Sequence, residues 1–180
     1  MSGASVVPEA TVPRIRRYQK EDWPGLWTML RATFDAGDTY VFAPGTAEEE
    51  IRRVWIEAPL VTYVVAADDG SILGTYHLKP NQPGLGAHVC NCAYVVAAEA
   101  RGRGIATAMC EHSQDEARRL GFRAMQFNLV VATNETAVRL WQALGFDIVG
   151  TLPGAFRHAR LGYVDAFVMF KQLTAAVHAS

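Results

Sequence analysis

The chain has 180 residues, 50% hydrophobic and 19% charged, with a net charge of −1. That length holds one full core, and the balance excludes both a disordered chain and the basic face of a nucleic-acid binder. No apolar run approaches the roughly 20 residues of a membrane helix, so neither nucleic acid nor membrane is expected as a partner.

The first residues lack the basic start and apolar core of a secretion signal. Cysteines number three, two of them as Cys90-Asn91-Cys92. That spacing puts two thiols on one face of a strand, without the second ligand pair that zinc needs. Buried free thiols, no metal and a cytoplasmic protein are the expectation.

In chain order, residues 1–10 read as a loose leader and 12–18 as a first strand. Asp22 and Pro24 mark a helix start; Leu26, Trp27, Leu30 and Phe34 keep helical spacing until Gly37 ends it. An aromatic loop with Tyr40 and Phe42 follows. Thr46, with Glu49 three residues on, forms a capping box for a second helix through Ile51, Val54 and Trp55, closed by Pro59. Then the period changes. Residues 60–67 are valine-rich and extended, Asp68-Asp69-Gly70 is a hairpin turn, and 71–78 returns as the next strand. Residues 79–86 are a loop, 88–96 a strand, 102–120 a helix stopped by Gly121, and 123–131 another strand. Asn134 opens a helix whose Ala137, Leu140, Trp141 and Leu144 share one face. A strand over 146–150, a polar arginine-rich turn and a last strand over 163–171 complete a single domain, 11–173, with a tail over 174–180. The fold class is α/β: a mixed sheet of about seven strands with four helices on its faces.

Residues 94–107, YVVAAEARGRGIAT, join a strand end to a helix start through Gly102 and Gly104. The first N–H groups of such a helix lack internal partners and sit at the positive end of its dipole, which makes a phosphate site. A dinucleotide fingerprint would need a third glycine, where Thr107 stands, and would follow the first strand. The Gly-Lys-Ser/Thr phosphate loop is absent. A plain turn would not account for Arg101 and Arg103 beside the glycines.

Here the chain resembles a known family. Arg101-x-x-Gly104-x-Ala106 resembles the Arg/Gln-x-x-Gly-x-Gly/Ala signature of the GNAT superfamily of acyl-CoA-dependent N-acetyltransferases. Asn134-x-x-Ala137-x-x-Leu140-Trp141-x-x-x-Gly145-Phe146 is similar to a second block of that family. The resemblance implies acetyl-CoA as cofactor and a fold with a splayed central strand pair. It implies a pyrophosphate site on the backbone of Arg101, Gly102, Arg103, Gly104, Ile105, Ala106 and Thr107. It also implies a pantetheine arm paired with Tyr94, Val95 and Val96 as an added strand, and bonded by Asn134 beside Trp141. Asn134 equally suits a helix cap. Dimers are frequent in the family, so a homodimer is a further expectation.

Amide formation needs a neutral amine, a polarised carbonyl and a leaving thiolate. The Val96 N–H is placed to polarise the carbonyl. Where the histone-acetylating branch has a glutamate base, ten residues before the motif, this chain has Asn91, which can donate and accept but not take a proton. Asn91 suits orienting a small amino or imino acid, or else is a core asparagine bonded to backbone. Asn128 on the next strand would face it, and the pair resembles the branch that acetylates proline analogues such as azetidine-2-carboxylate. His88 or a water is a substitute base. Many family members have tyrosine at the position of Trp141, a residue that donates but is no useful acid. Tyr94 and Tyr163 are substitute donors, and Trp141 either serves the cofactor or only packs. Arg157, His158 and Arg160 form a solvated turn or hold a carboxylate or the CoA 3′-phosphate. The resemblance also implies that Tyr40 and Phe42 shape the acceptor pocket.

The function expected is transfer of acetyl from acetyl-CoA to a small-molecule amine in a ternary complex. The alternatives are a protein or peptide acceptor and, from another class, a non-catalytic acyl-CoA-binding domain.

Overall fold

The computed structural model describes residues 14–174. The expected leader, the start of the first strand at Val12 and the tail beyond Thr174 lie outside them. The strands are β1 (Arg14–Arg17), β2 (Val61–Ala66), β3 (Ile72–Pro80), β4 (Val89–Val96), β5 (Ala124–Val131), β6 (Asp147–His158) and β7 (Gly162–Gln172). They form one seven-stranded sheet in the order β1-β2-β3-β4-β5-β7-β6. Every pairing is antiparallel except β4 with β5. The helices are α1 (Trp23–Asp35), α2 (Glu48–Arg52), α3 (Ile105–Arg119) and α4 (Glu135–Ala143). None among the described residues is long and apolar enough to cross a membrane.

Side-chain alternation assigns the two faces. Thr75 and Tyr76 are neighbours on β3, so they point to opposite sides. Tyr76 bonds His112 of α3, and Tyr94, its partner on β4, lies 5.0 Å from Trp141 of α4. The other side carries Trp55, whose indole donates to Thr75, with Phe34 of α1 packed on it at 5.8 Å. Burial on both sides explains why β2 and β3 read as apolar runs, with Val64, Tyr76 and Leu78 fully enclosed.

Three expectations are corrected. Thr46 does not cap α2: its hydroxyl donates to the Ala43 carbonyl at 2.6 Å, and Ala47 stands at the cap. Past α2 the chain widens into a π-turn over Arg53–Glu57, where the Ala58 N–H reaches the Arg53 carbonyl at 2.8 Å. α3 begins at Ile105 rather than at 102, because Gly102 and Gly104 hold φ of 75° and 77°, outside the helical region. The turn expected after Gly150 shrinks to residues 159–161. β6 runs on to His158, with register shifts between Ile148 and Gly150 and between Leu152 and Phe156 that absorb Gly150, Pro153 and Gly154. The Ala159 N–H then donates to the Gly37 carbonyl at 2.9 Å, tying this hairpin to the loop after α1. All three cysteines are free and buried, as read from the sequence.

Candidate functional site

The site begins where β4 and β5 part. Their parallel ladder covers only Val89, Cys90 and Asn91, opposite Ala124, Met125 and Gln126. Main-chain hydrogen bonds fix which way β4 presents its groups. The His88 carbonyl accepts from Arg123, on the β5 side; the Val89 carbonyl accepts from Asn81 and the Ala97 N–H donates to Leu73, both on the β3 side. No register shift interrupts the β3–β4 ladder. The alternation therefore turns the N–H and C=O of Cys92, Tyr94 and Val96 toward β5, beyond the last rung with β5. One of these groups is engaged: the Tyr40 hydroxyl donates to the Tyr94 carbonyl at 2.5 Å. The rest form an open edge that an extended ligand can pair with.

Below that edge the chain enters the glycine turn. With Gly102 and Gly104 both left-handed, the backbone curls onto the start of the 15-residue α3. A groove there is lined by Val95, Val96, Arg101, Gly102, Gly104 and Ile105, among others. Ala106, Thr107, Asn134 and Trp141 belong to it too, as do His158 and Arg160 from the end of β6 and Asp38 from the loop after α1. Arg103 does not line it. The donors, the dipole and the open strand edge fit an acyl-CoA: phosphates at the turn and an extended arm along β4. Such a donor supplies an activated acyl group as a thioester. The Asn134 side chain accepts from the Ala137 N–H at 3.3 Å, so its capping role is seen directly.

A second cavity of about 280 Å³ adjoins the groove, sharing Tyr40, Tyr94 and Trp141. Tyr40 and Phe42 form part of its wall, both packed on Phe34. Asn91 and Asn128 both line it, but they are not opposite one another. The register sets Asn91 against Gln126, whose carbonyl takes the Asn91 amide at 3.0 Å. Asn128 is bound at both ends, accepting from Gln126 at 2.8 Å and donating to Asn81 at 2.7 Å. Among the described residues the Asn91 amide oxygen has no hydrogen-bond partner, whereas both ends of the Asn128 amide are taken.

The substitute acids and bases fare differently. His88 is exposed, with Nδ1 against the Leu85 carbonyl, and lies at the paired end of β4. Tyr163 is 76% exposed near the hairpin turn and lines neither cavity. Tyr94 has its hydroxyl against Ser113 on the α3 side, and burial raises its pKa, which makes it a poorer acid. Trp141 packs between Tyr94 and Phe127, at 5.0 and 5.2 Å, while also walling both cavities. Of the polar run after β6, Arg157 pairs with Tyr163 in the β6–β7 ladder outside the groove; His158 is buried, its Nδ1 accepting from the Arg160 N–H at 3.1 Å.

Two wall residues escaped the sequence reading: His77 and Lys79 of β3. The signal was there, since Thr75, His77 and Lys79 put polar groups at every second position of an otherwise apolar strand. Among the described residues, no three His, Cys, Asp or Glu side chains gather as a metal site.

The sequence matches the model of the acetyltransferase (GNAT) family over residues 14–146. It is 39% identical over 99 residues to the N-acetyltransferase aca1 of Schizosaccharomyces pombe, covering 54% of this chain and 47% of that protein. The chain thus spans about half the length of that relative. A GCN5-related N-acetyltransferase from Kribbella flavida superposes with a TM-score of 0.83 at 44% identity, over 88% of this chain and 96% of that one. A phosphinothricin acetyltransferase from Sinorhizobium meliloti, solved with AcCoA, shares the fold at a TM-score of 0.81 and 18% identity, over 93% and 92%.

Proposed function

This chain belongs to the GNAT family of acetyltransferases, and on that premise we propose that it transfers the acetyl group of acetyl-CoA to the amine of a small molecule, with donor and acceptor bound together. The observation that carries this reading is the open β4 edge. Cys92, Tyr94 and Val96 turn their main-chain groups into the splay directly above the left-handed Gly102–Gly104 turn. The amine nitrogen attacks the thioester carbon, a C–N bond forms, the C–S bond breaks to release the CoA thiolate, and the proton lost by nitrogen ends on that thiolate or on solvent water. The Val96 N–H is a donor for the carbonyl oxygen as it gains charge. A thiol pKa near about 8.5 lets the thiolate leave with little help, so Trp141 need supply no proton.

The acceptor reading rests on the cavity. It is small, walled by Tyr40, Phe42 and Trp55, and no Asp or Glu among the described residues lines it. A protein or peptide acceptor, the alternative, would favour an open acidic groove. The test is CoA release over a panel of amino acids, polyamines, proline analogues and peptides. Turnover of small amines and silence with peptides is expected; turnover of peptides alone would reverse the choice, and silence throughout would leave only acyl-CoA binding.

Asn91→Ala should raise the acceptor KM by roughly 3- to 10-fold, the worth of one hydrogen bond, with the acetyl-CoA KM unchanged. Steady-state kinetics with each substrate varied in turn reads this. A change confined to acetyl-CoA would remove Asn91 from the acceptor site.

A further inference from the structure

β3 turns Thr75, His77 and Lys79 toward the face that also carries Asn91. Thr75 is fully engaged, donating to the Tyr63 carbonyl at 2.8 Å and accepting from the Trp55 indole at 3.3 Å. His77 is not. It is 5% exposed, set edge-on to Trp55 at 4.7 Å, and its buried Nδ1 has no hydrogen-bond partner among the described residues. An unmade bond of that kind costs roughly 1–3 kcal/mol; Nδ1 itself is sealed off, and the His77 ring lines the cavity. Lys79 sits directly across the ladder from Asn91 and lines the same cavity. Among the described residues it has no ion-pair partner. Burial first, and the Lys79 charge second, push the His77 pKa down to about 3, so its ring is neutral at physiological pH. Among the described residues the cavity wall therefore carries the Lys79 charge, a neutral imidazole and no carboxylate. Such a wall disfavours an alkylammonium ion and attracts an anion.

Resting on the acetyltransferase reading and adding the acceptor's class to it, we propose that the acceptor is an amino or imino acid whose carboxylate is held by Lys79 and a His77 ring N–H, with its amine turned to Asn91 and the splay. Spacing supports one molecule bridging these groups. Residues directly opposite in a ladder have Cβ atoms roughly 5 Å apart, so Lys79 and Asn91 can grasp groups carried on a single carbon. A neutral imidazole has one N–H to donate, and a carboxylate accepts from it and from an ammonium at once. Lys79 also disfavours protonation of the nearby amine, which helps deliver it in the nucleophilic form and lessens the need for a base at Asn91.

The test titrates free amino acids, proline included, and their carboxamides into the CoA-saturated protein, read by calorimetry and by the imidazole ¹⁵N signals. At least one acid should bind, its carboxamide roughly 10- to 100-fold more weakly, the worth of a charged hydrogen bond, with the His77 signals moving on binding. Lys79→Gln should bring the acid-to-amide ratio close to one and leave CoA affinity within twofold; His77→Asn should reduce the same ratio if it folds, and Lys79→Gln with the ¹⁵N signals decides if it does not. Equal binding of acids and carboxamides overturns the proposal. So does a ratio unmoved by Lys79→Gln, or the absence of any acid binding while CoA binds. Failure of the acetyltransferase reading appears separately, as no CoA release with any amine.

Discussion

Gly104→Glu is expected to weaken CoA binding by more than 100-fold. Gly104 holds φ at +77° immediately before α3. A Cβ added there meets nothing within 4 Å, so no clash inside the protein is involved. Two other effects combine. Any L-residue in that conformation bears roughly 1–2 kcal/mol of strain. A carboxylate about 4 Å from a phosphate charge adds repulsion on the order of 4 kcal/mol at an effective dielectric of about 20. Gly104→Ala carries the strain alone and should weaken binding by less than about 10-fold. Calorimetry with CoA on both variants, with melting curves to show that each is folded, separates the two effects. If the glutamate variant binds within threefold of the parent, phosphate does not sit on this turn.

The proposed donor half of the site was legible as a turn and a helix start because it is made of backbone. Gly102 and Gly104 are required by the left-handed turn itself, and Asn134 by the helix start it caps. Such demands leave fixed residue types at fixed spacings. The proposed acceptor half is made of side chains brought together by register, which spacing alone does not state. Asn91 and Asn128 were rightly read onto neighbouring strands, yet a register two residues away from the expected one puts Gln126 opposite Asn91 and makes Asn128 a supporting residue. His77 and Lys79 belong to a strand that carries no motif.

In the fold, the elements were read correctly wherever apolar periodicity was unbroken, as in β2, β3 and α4. The errors came where local chemistry had two outlets. Thr46 can cap a helix or close the turn before it, and it takes the Ala43 carbonyl. The polar, arginine-rich stretch after Gly150 read as one long turn, but strand irregularities absorb Pro153 and Gly154 and β6 runs on to His158.

Trp55→Ala should be the most destabilising single truncation around the acceptor cavity, by about 3–5 kcal/mol. Trp55 is 1% exposed at the widened end of the second helix. Phe34 and Tyr40 pack on it at 5.8 Å each and His77 at 4.7 Å. Its indole N–H bonds Thr75, whose hydroxyl stays satisfied by the Tyr63 carbonyl after truncation, so the loss is mainly of packing. At this chain length about 2–4 °C of melting temperature accompanies each kcal/mol, which places the fall on the order of 10 °C. The damage should be directional. The glycine turn does not rest on Trp55, and the β4 edge is linked to it only through the Tyr40 bond to the Tyr94 carbonyl, whereas Tyr40 and His77 lose the ring between them. Well below its melting point the variant should therefore bind CoA within about threefold of the parent and show a clearly raised acceptor KM. A melting temperature lowered by less than 2 °C would mean that the cavity collapses onto the gap; equal losses in CoA and acceptor binding would mean that the two halves of the site are not built separately.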